Sequence, residues 1–499
     1  MNRIHREPRL AWARGAILAA AALLPWMRFL GHPYAINLDV SWFYYVARGM
    51  LHGGVLYKDY IEPNAPFSAL TMMPAVAMAR LFATSPALAV EIYVTLIAGA
   101  ILVVVAFCLR VLNLRSVAQL WCLALLGFMF AFLPDASFGQ REHITLMLVA
   151  PYTVLCIAAW HGRRPGVRLA CVVGLAAAYA AGMKPPLLLV PAFMEAALLV
   201  RIGPRRWWRP QLWALMAGGS AIGLCVVVFF PLYPSAIIPW AVAIYDGYDQ
   251  KPQVAIWVLY CSTLALLGYC LLGFARDDDL RAARAILLAG FMGGIGAYAM
   301  QAKGWFYQLI PAYGFMAALL AASVAGIALR PAGQSAGPRR WLLCTALALV
   351  FAVEVFHRAR LADQPMSPAS FAGVSQAIGK SAGPFMIFST SVDPGFPLAV
   401  TLGKVWASRY PCMLMLPAIV RDTTGKVAAR WERVYRREIV EDMRRYRPSL
   451  VMVPIVNTQA LPNGFSILAW LLRDPDFTSI WGSYVRRGDV DDLAVFQLK

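Results

Sequence analysis

The sequence predicts a polytopic α-helical membrane protein of about eleven transmembrane helices with a small C-terminal α/β domain outside the cytoplasm. Three observations carry that expectation. Of 499 residues, 60% are hydrophobic, and the mean hydropathy of +0.61 exceeds that of soluble globular domains. Apolar runs of about 16–23 residues recur along the chain, and about 20 apolar residues suffice to cross a hydrocarbon core as a helix. The last 140 or so residues are different, with mixed charge and short apolar stretches.

The spans are read at 15–31, 88–110, 117–133, 143–160, 168–183, 186–200, 211–231, 253–274, 285–299, 308–329 and 340–356. The first run keeps a basic start (Arg3, Arg6, Arg9, Arg14) and shows no cleavage pattern, so it reads as a segment that inserts and stays. The apolar stretch 67–83 is short, carries Arg80 and lies beside Pro66 and Pro74. It reads as a helix at the interface or dipping back rather than a crossing.

Loop charge supports that choice. With the N-terminus inside and 67–83 not crossing, the inside loops collect Arg110, Arg115, Arg163, Arg164, Arg168, Arg201, Arg205, Arg206, Arg209, Arg276, Arg281, Arg284, Arg330, Arg339 and Arg340. The outside loops after residue 88 hold only Arg141, Lys184, Lys251 and Lys303. A crossing at 67–83 would invert every later loop against the positive-inside bias. The net charge of +19 is therefore topology signal and does not mark a nucleic-acid binder. Of nine cysteines, all but Cys412 fall in apolar runs, and their spacing defines neither a disulfide framework nor a metal pair.

The same parity places residues 32–87 and the tail 357–499 outside, leaving 1–356 as the membrane domain. In the tail, 384–390 and 449–455 read as short buried strands. Between them Trp431, Tyr435, Ile439, Met443 and Tyr446 recur at helical spacing. No nucleotide fingerprint is present, so the domain's expected role is structural or substrate-guiding.

Ionisable and aromatic residues collect on the outer face. The first loop carries Asp39, Arg48, Lys58, Asp59 and Glu62, and 134–143 carries Asp135, Gln140, Arg141, Glu142 and His143. Lys184 sits between two spans, Asp246 and Asp249 lie in "AIYDGYDQK", and "QAKGWFYQ" supplies Gln301, Lys303, Trp305, Tyr307 and Gln308. Charge close to hydrocarbon is costly unless paired or facing a wet cavity, which makes residues at span ends functional candidates. Each has a plainer reading. Asp39 suits a helix cap, Lys184 an ordinary snorkelling lysine, Lys303 with Trp305 an interfacial anchor, and Asp246 with Asp249 a solvated loop. Glu62 and His143 are the weak candidates for a divalent cation such as Mg or Mn.

The first loop resembles that of the GT-C superfamily of integral membrane glycosyltransferases, in particular the protein O-mannosyltransferase and lipid A aminoarabinose transferase groups. The residues concerned are the early Asp39, the amphipathic "WFYYVARGML", Gly53 with Tyr57 and Asp59, and Pro63 with Pro66. The resemblance implies transfer of a sugar from a polyprenyl-phosphate donor to a glycan, lipid or protein acceptor on the extracytoplasmic face. It implies Asp39 as general base and Arg141, Lys184 and Lys303 as cations for the donor phosphate. Tyr57, Asp59, Glu62, Glu142, His143, Trp305 and Tyr307 become substrate-binding candidates, and Trp42 and Tyr45 could face sugar or isoprenoid. Many relatives carry a second acid after the loop-one Asp, but Val40 stands here. That leaves Asp59 or Glu62 as rival bases, and any of Arg141, Glu142 and His143 in place of a second-loop acid. The implied location is a bacterial inner membrane with a cytoplasmic N-terminus and a periplasmic terminal domain. The main rival is a lipid or lipid-linked saccharide transporter, which would need polar residues deep in the spans and an internal repeat. A polysaccharide polymerase or ligase and a non-catalytic scaffold are further rivals.

Overall fold

The computed structural model describes residues 36–114, 116–246, 248, 250–272, 278–328, 371–456 and 460–499, with isolated helical residues between 338 and 353. The expected span 15–31, most of 340–356, Asp249 and several of the inside-loop arginines lie outside the described residues, as does the side chain of Asp246. The chain divides into two compact units.

The first unit comprises Met1–Pro33, Glu91–Leu224 and Gln250–Gln364 and is helical throughout its described part. Across the chain, five helices are long and apolar enough to cross a membrane: Pro86–Val111, Arg141–Trp160, Pro185–Ile202, Pro210–Phe229 and Leu280–Gln301. Val167–Met183 and Phe306–Ala322 are shorter apolar helices of the same unit. Arg141–Trp160 is 83% buried along its apolar window, against 22–56% for the other four, so it is the enclosed helix of the set. The helices pack through small residues, as apolar helices do where lipid supplies no hydrophobic drive. A Cβ on Gly293 would lie 2.5 Å from the Leu189 carbonyl oxygen, so the Asp278–Gln301 helix meets Leu189–Ile202 backbone to backbone.

The second unit comprises Tyr34–Val90, Cys225–Asp249 and Pro365–Lys499. Its sheet has four strands, β1 Phe385–Ile387, β2 Leu450–Pro454, β3 Tyr484–Val490 and β4 Leu493–Leu498, in the order β1-β2-β4-β3. β1 pairs parallel with β2, Met386 opposite Val451, and β4 runs antiparallel to both β2 and β3. The two strands expected from the apolar runs are β1 and β2. The hairpin β3–β4 was not expected, because "YVRRGDV" exposes most of its side chains and has no apolar run. The expected tail helix runs over Lys426–Tyr446 and buries Tyr435, Ile439, Val440, Asp442 and Met443. Tyr435, Ile439, Val440 and Met443 join Met386, Val451, Trp470 and Phe477 in one apolar core, and Asp442 pairs with Arg409.

Residues 34–90 belong to this same core-bearing unit rather than standing as a free loop. Leu38–Met50 is a helix, and 67–83 forms two short helices, Phe67–Leu70 and Met73–Leu81, interrupted at Thr71–Met72. Taken together, the fifteen residues Phe67–Leu81 rise about 22 Å as an apolar helix, short of a hydrocarbon core of about 30 Å.

Candidate active-site residues

Asn37 caps the Leu38–Met50 helix: its Oδ1 accepts from the amides of Asp39 at 3.0 Å and Val40 at 3.3 Å. Asp39 is therefore not the cap. It stands in the first turn, half-buried, where the helix dipole favours a negative charge. One turn on, the helix turns Trp42 and Tyr45 onto Phe396, with ring centroids 5.1 and 5.4 Å apart. The backbone amide of Trp406 also donates to Tyr45 Oη at 3.1 Å. Loop one is thus fastened by aromatic contacts to the C-terminal part of its own unit.

The other loop-one acids are held in different ways. Glu62 is 2% exposed. Its Oε2 accepts from Trp42 Nε1 at 2.6 Å, and its Oε1 accepts from the Asn64 amide at 2.8 Å and from Asn64 Nδ2. Asp59 Oδ2 accepts from the Val55 amide at 2.9 Å and its Oδ1 from Arg445 Nη1 at 2.9 Å, closing a turn and tying it to the Lys426–Tyr446 helix. Tyr57 is buried at a positive φ of 69°, stacks on Tyr233 at 5.4 Å and donates from Oη to the Asn64 carbonyl at 2.8 Å. Burial, then the Glu62 charge, pushes its phenol up. Tyr60 fits only because residues 49 and 54 are glycine: a Cβ on Gly49 would overlap its ring.

The Val55 hydrogen bond, and then the Arg445 guanidinium, hold the Asp59 carboxyl below its ordinary value. A depressed carboxylate stabilises the fold above its unfolded pKa, and that contribution is lost as pH falls through the folded value. The Val55 amide should accordingly be protected from hydrogen exchange at neutral pH and lose protection in acid below the ordinary carboxylate range. Arg445→Ala should move that loss to higher pH, and an unchanged midpoint would show that Arg445 does not act on Asp59.

A residue that sequence reasoning missed, Asp393, stands in the "STSVDPG" turn before the Gly395–Thr401 helix, its carboxylate accepting from Ser391 Oγ. Buried Cys412 has its thiol pushed up by burial and then by the charges of Asp393, Asp39 and Glu62. These three acids therefore share one neighbourhood around the Cys412 sulfur. A lone Asp-Pro-Gly reads as a turn, so nothing local in the sequence marks Asp393.

In the first unit the block Arg141-Glu142-His143 opens the enclosed helix, with all three residues at most 4% exposed. Glu142 pairs with Lys184, which caps the C-terminal end of Val167–Met183, where a cation is favoured. The Lys184 ammonium also lies 5.3 Å from the Tyr307 ring centroid, and Tyr307 stacks on Trp305 at 6.0 Å. The unit thus brings Glu142, Lys184, Trp305 and Tyr307 together. Lys303 is buried two residues before Trp305, after the turn at Ala302.

The divalent-cation reading of Glu62 and His143 finds no support in the donor set. The Gly139 amide donates to His143 Nδ1 at 3.1 Å, so Nε2 carries the proton and donates to the Phe130 carbonyl at 2.8 Å. Both ring nitrogens are used, and among the described residues no group of three or more His, Cys, Asp or Glu could hold a metal.

A helical unit with helices long and apolar enough to cross a membrane, joined in one chain to a small mixed sheet, is a fold shared with a solved structure along nearly the whole chain. Among solved structures it is similar to ArnT from Cupriavidus metallidurans bound to undecaprenyl phosphate, over 97% of this chain and 98% of that one, at 13% identity and a TM-score of 0.50. It is also similar to the arabinofuranosyltransferase AftD from Mycobacteria, over 97% of this chain but 40% of that one, at 12% identity and a TM-score of 0.41. No family model and no curated protein matches the sequence.

Proposed function

We propose that the protein is a membrane glycosyltransferase that moves a sugar from a polyprenyl-phosphate donor to an acceptor on the extracytoplasmic face. The observation that carries this reading is the likeness of fold along nearly the whole chain to an enzyme captured with undecaprenyl phosphate. The residues supply chemistry of the required kind. Asp39, in the first turn of a helix that Asn37 caps, takes the proton of an acceptor hydroxyl. The acceptor oxygen attacks the anomeric carbon, the bond from that carbon to the phosphate oxygen breaks, and the configuration inverts. The leaving lipid phosphate departs with its negative charge and needs cations rather than a proton. The resemblance assigns that duty to Arg141, Lys184 and Lys303; within the first unit Lys184 lies against Tyr307, which stacks on Trp305, and the two rings offer faces to a sugar.

Of the remaining candidates, Asp59 and Glu62 act as ties that shape loop one, since each carboxylate already accepts from two or more donors. Acceptor choice falls to loop one and the terminal residues it is fastened to, which include Asp393. The bacterial plasma membrane, with the terminal domain in the periplasm, is the setting this reading requires. The test is turnover of a panel of radiolabelled polyprenyl-phosphate sugars by the purified protein in the presence of envelope extract. Consumption of one donor class, with label passing to a larger product, is expected. Binding of these lipids without consumption of any donor would sink the proposal and favour transport.

A further inference from the structure

A second group of buried ionisable side chains lies in the first unit and plays no part in the reaction above. Along the Arg141–Trp160 helix, Tyr152 stands ten residues from Glu142, about 15 Å by helical rise. Tyr152 Oη donates to Glu195 Oε1 at 2.6 Å, and Arg209 Nη2 donates to Glu195 Oε1 and Oε2 at 2.6 and 2.5 Å. The carboxylate is satisfied and its charge is balanced. Arg209 is not satisfied. It is 8% exposed, and its Nε and Nη1 have no hydrogen-bond partner among the described residues. Neither have Gln211 Nε2 and Oε1, on a side chain 1% exposed, nor Trp207 Nε1.

Four N–H-bearing nitrogens and one acceptor oxygen thus stand unmatched within five residues, at the start of the Pro210–Phe229 helix. Buried donors without partners are rare and costly, so an unmatched set of this size implies a ligand rich in acceptors. The helix N-terminus adds its own preference for an anion. Exposed Arg205 and Arg206 immediately before it compensate further negative charge. This segment opens a helix apolar enough to cross a membrane, and the anion that lies at such a level in quantity is a lipid phosphate. A hydroxyl on the same headgroup would serve Gln211 Oε1.

We propose that Arg209, Gln211 and Trp207 form a binding site for the headgroup of an anionic phospholipid, separate from the Glu142–Lys184 group and independent of the transfer reaction. The test is native mass spectrometry of the purified full chain, titrated in turn with phosphatidylglycerol, with diacylglycerol of the same acyl chains, and with inorganic phosphate. Gln211→Leu removes the amide but leaves the Arg209–Glu195 pair, and Gln211→Glu keeps the shape while placing a carboxylate opposite the phosphate. Wild type should hold one phosphatidylglycerol at least about tenfold more tightly than diacylglycerol, and both variants should lose that preference, Gln211→Glu the more completely. Equal binding of the two lipids by wild type, or an undiminished preference in both variants, would overturn the site. Variant-sensitive binding of inorganic phosphate at the same concentrations would overturn the lipid assignment in favour of a free anion. Detergent melting curves separate a lost site from a lost fold, because Gln211→Leu makes no change to the ion pair.

Discussion

Asp39→Asn should reduce sugar transfer by about 100- to 10,000-fold, the range for loss of a general base, while the protein keeps its fold. The structure supplies the reason the two effects separate. Asn37, not Asp39, accepts the first-turn amides, so the substitution leaves the cap of the Leu38–Met50 helix in place. It also leaves the Trp42–Glu62 bond and the ring contacts to Phe396, which hold the loop down. The substitution removes one negative charge beside a helix N-terminus, a placement worth about 0.3–1 kcal/mol at an exposed site, and leaves an amide of the same shape to keep the side chain's other contacts. The turnover number should therefore fall with little change in donor affinity and only a small shift in melting. A variant that melted far below wild type would assign Asp39 a structural role. Equal turnover would move the base to another acid of the same neighbourhood, Asp393 foremost.

Lys184→Ala should produce the largest loss of stability among the site residues. Its ammonium is the partner of Glu142, which is fully buried and whose Oε2 makes no hydrogen bond among the described residues. Breaking a buried pair from one side leaves an uncompensated charge, at a cost of about 3–5 kcal/mol. Removing both charges in Lys184→Met with Glu142→Gln should recover most of that loss, because two neutral side chains of similar size replace the pair. Activity should behave differently. If Lys184 meets the leaving phosphate, transfer should stay about a hundredfold down in the double variant even as its melting recovers. Recovery of both would make the pair purely structural.

The sequence showed much of this, unevenly. Helix existence was legible from apolar runs, and 67–83 is helical over Phe67–Leu81, shorter than the helices long enough to cross. β1 and β2 were legible as continuous buried runs, whereas β3 was not, since its Arg486, Arg487 and Asp489 face outward on an edge strand. The gathering of acids in loop one was plain, but their separate duties depend on hydrogen bonds to Trp42, Asn64, Val55 and Arg445, partners spread over some 400 residues. The block Arg141-Glu142-His143 was visible as unusual, yet only the fold shows that His143 ties down the preceding loop while Glu142 reaches Lys184. Asp393 and Gln211 were invisible for one reason: a single polar residue in a turn or at a helix start has an ordinary local explanation.

The most direct measurement follows the bridging oxygen. A polyprenyl-phosphate sugar carrying ¹⁸O between the anomeric carbon and phosphorus would be turned over by the purified protein, and both products analysed by mass spectrometry and NMR. Attack at the anomeric carbon, with lipid phosphate as the leaving group, predicts that the label stays on the lipid phosphate and that the new glycosidic bond has the opposite anomeric configuration. Label found on the transferred sugar, or a retained configuration, would contradict the account.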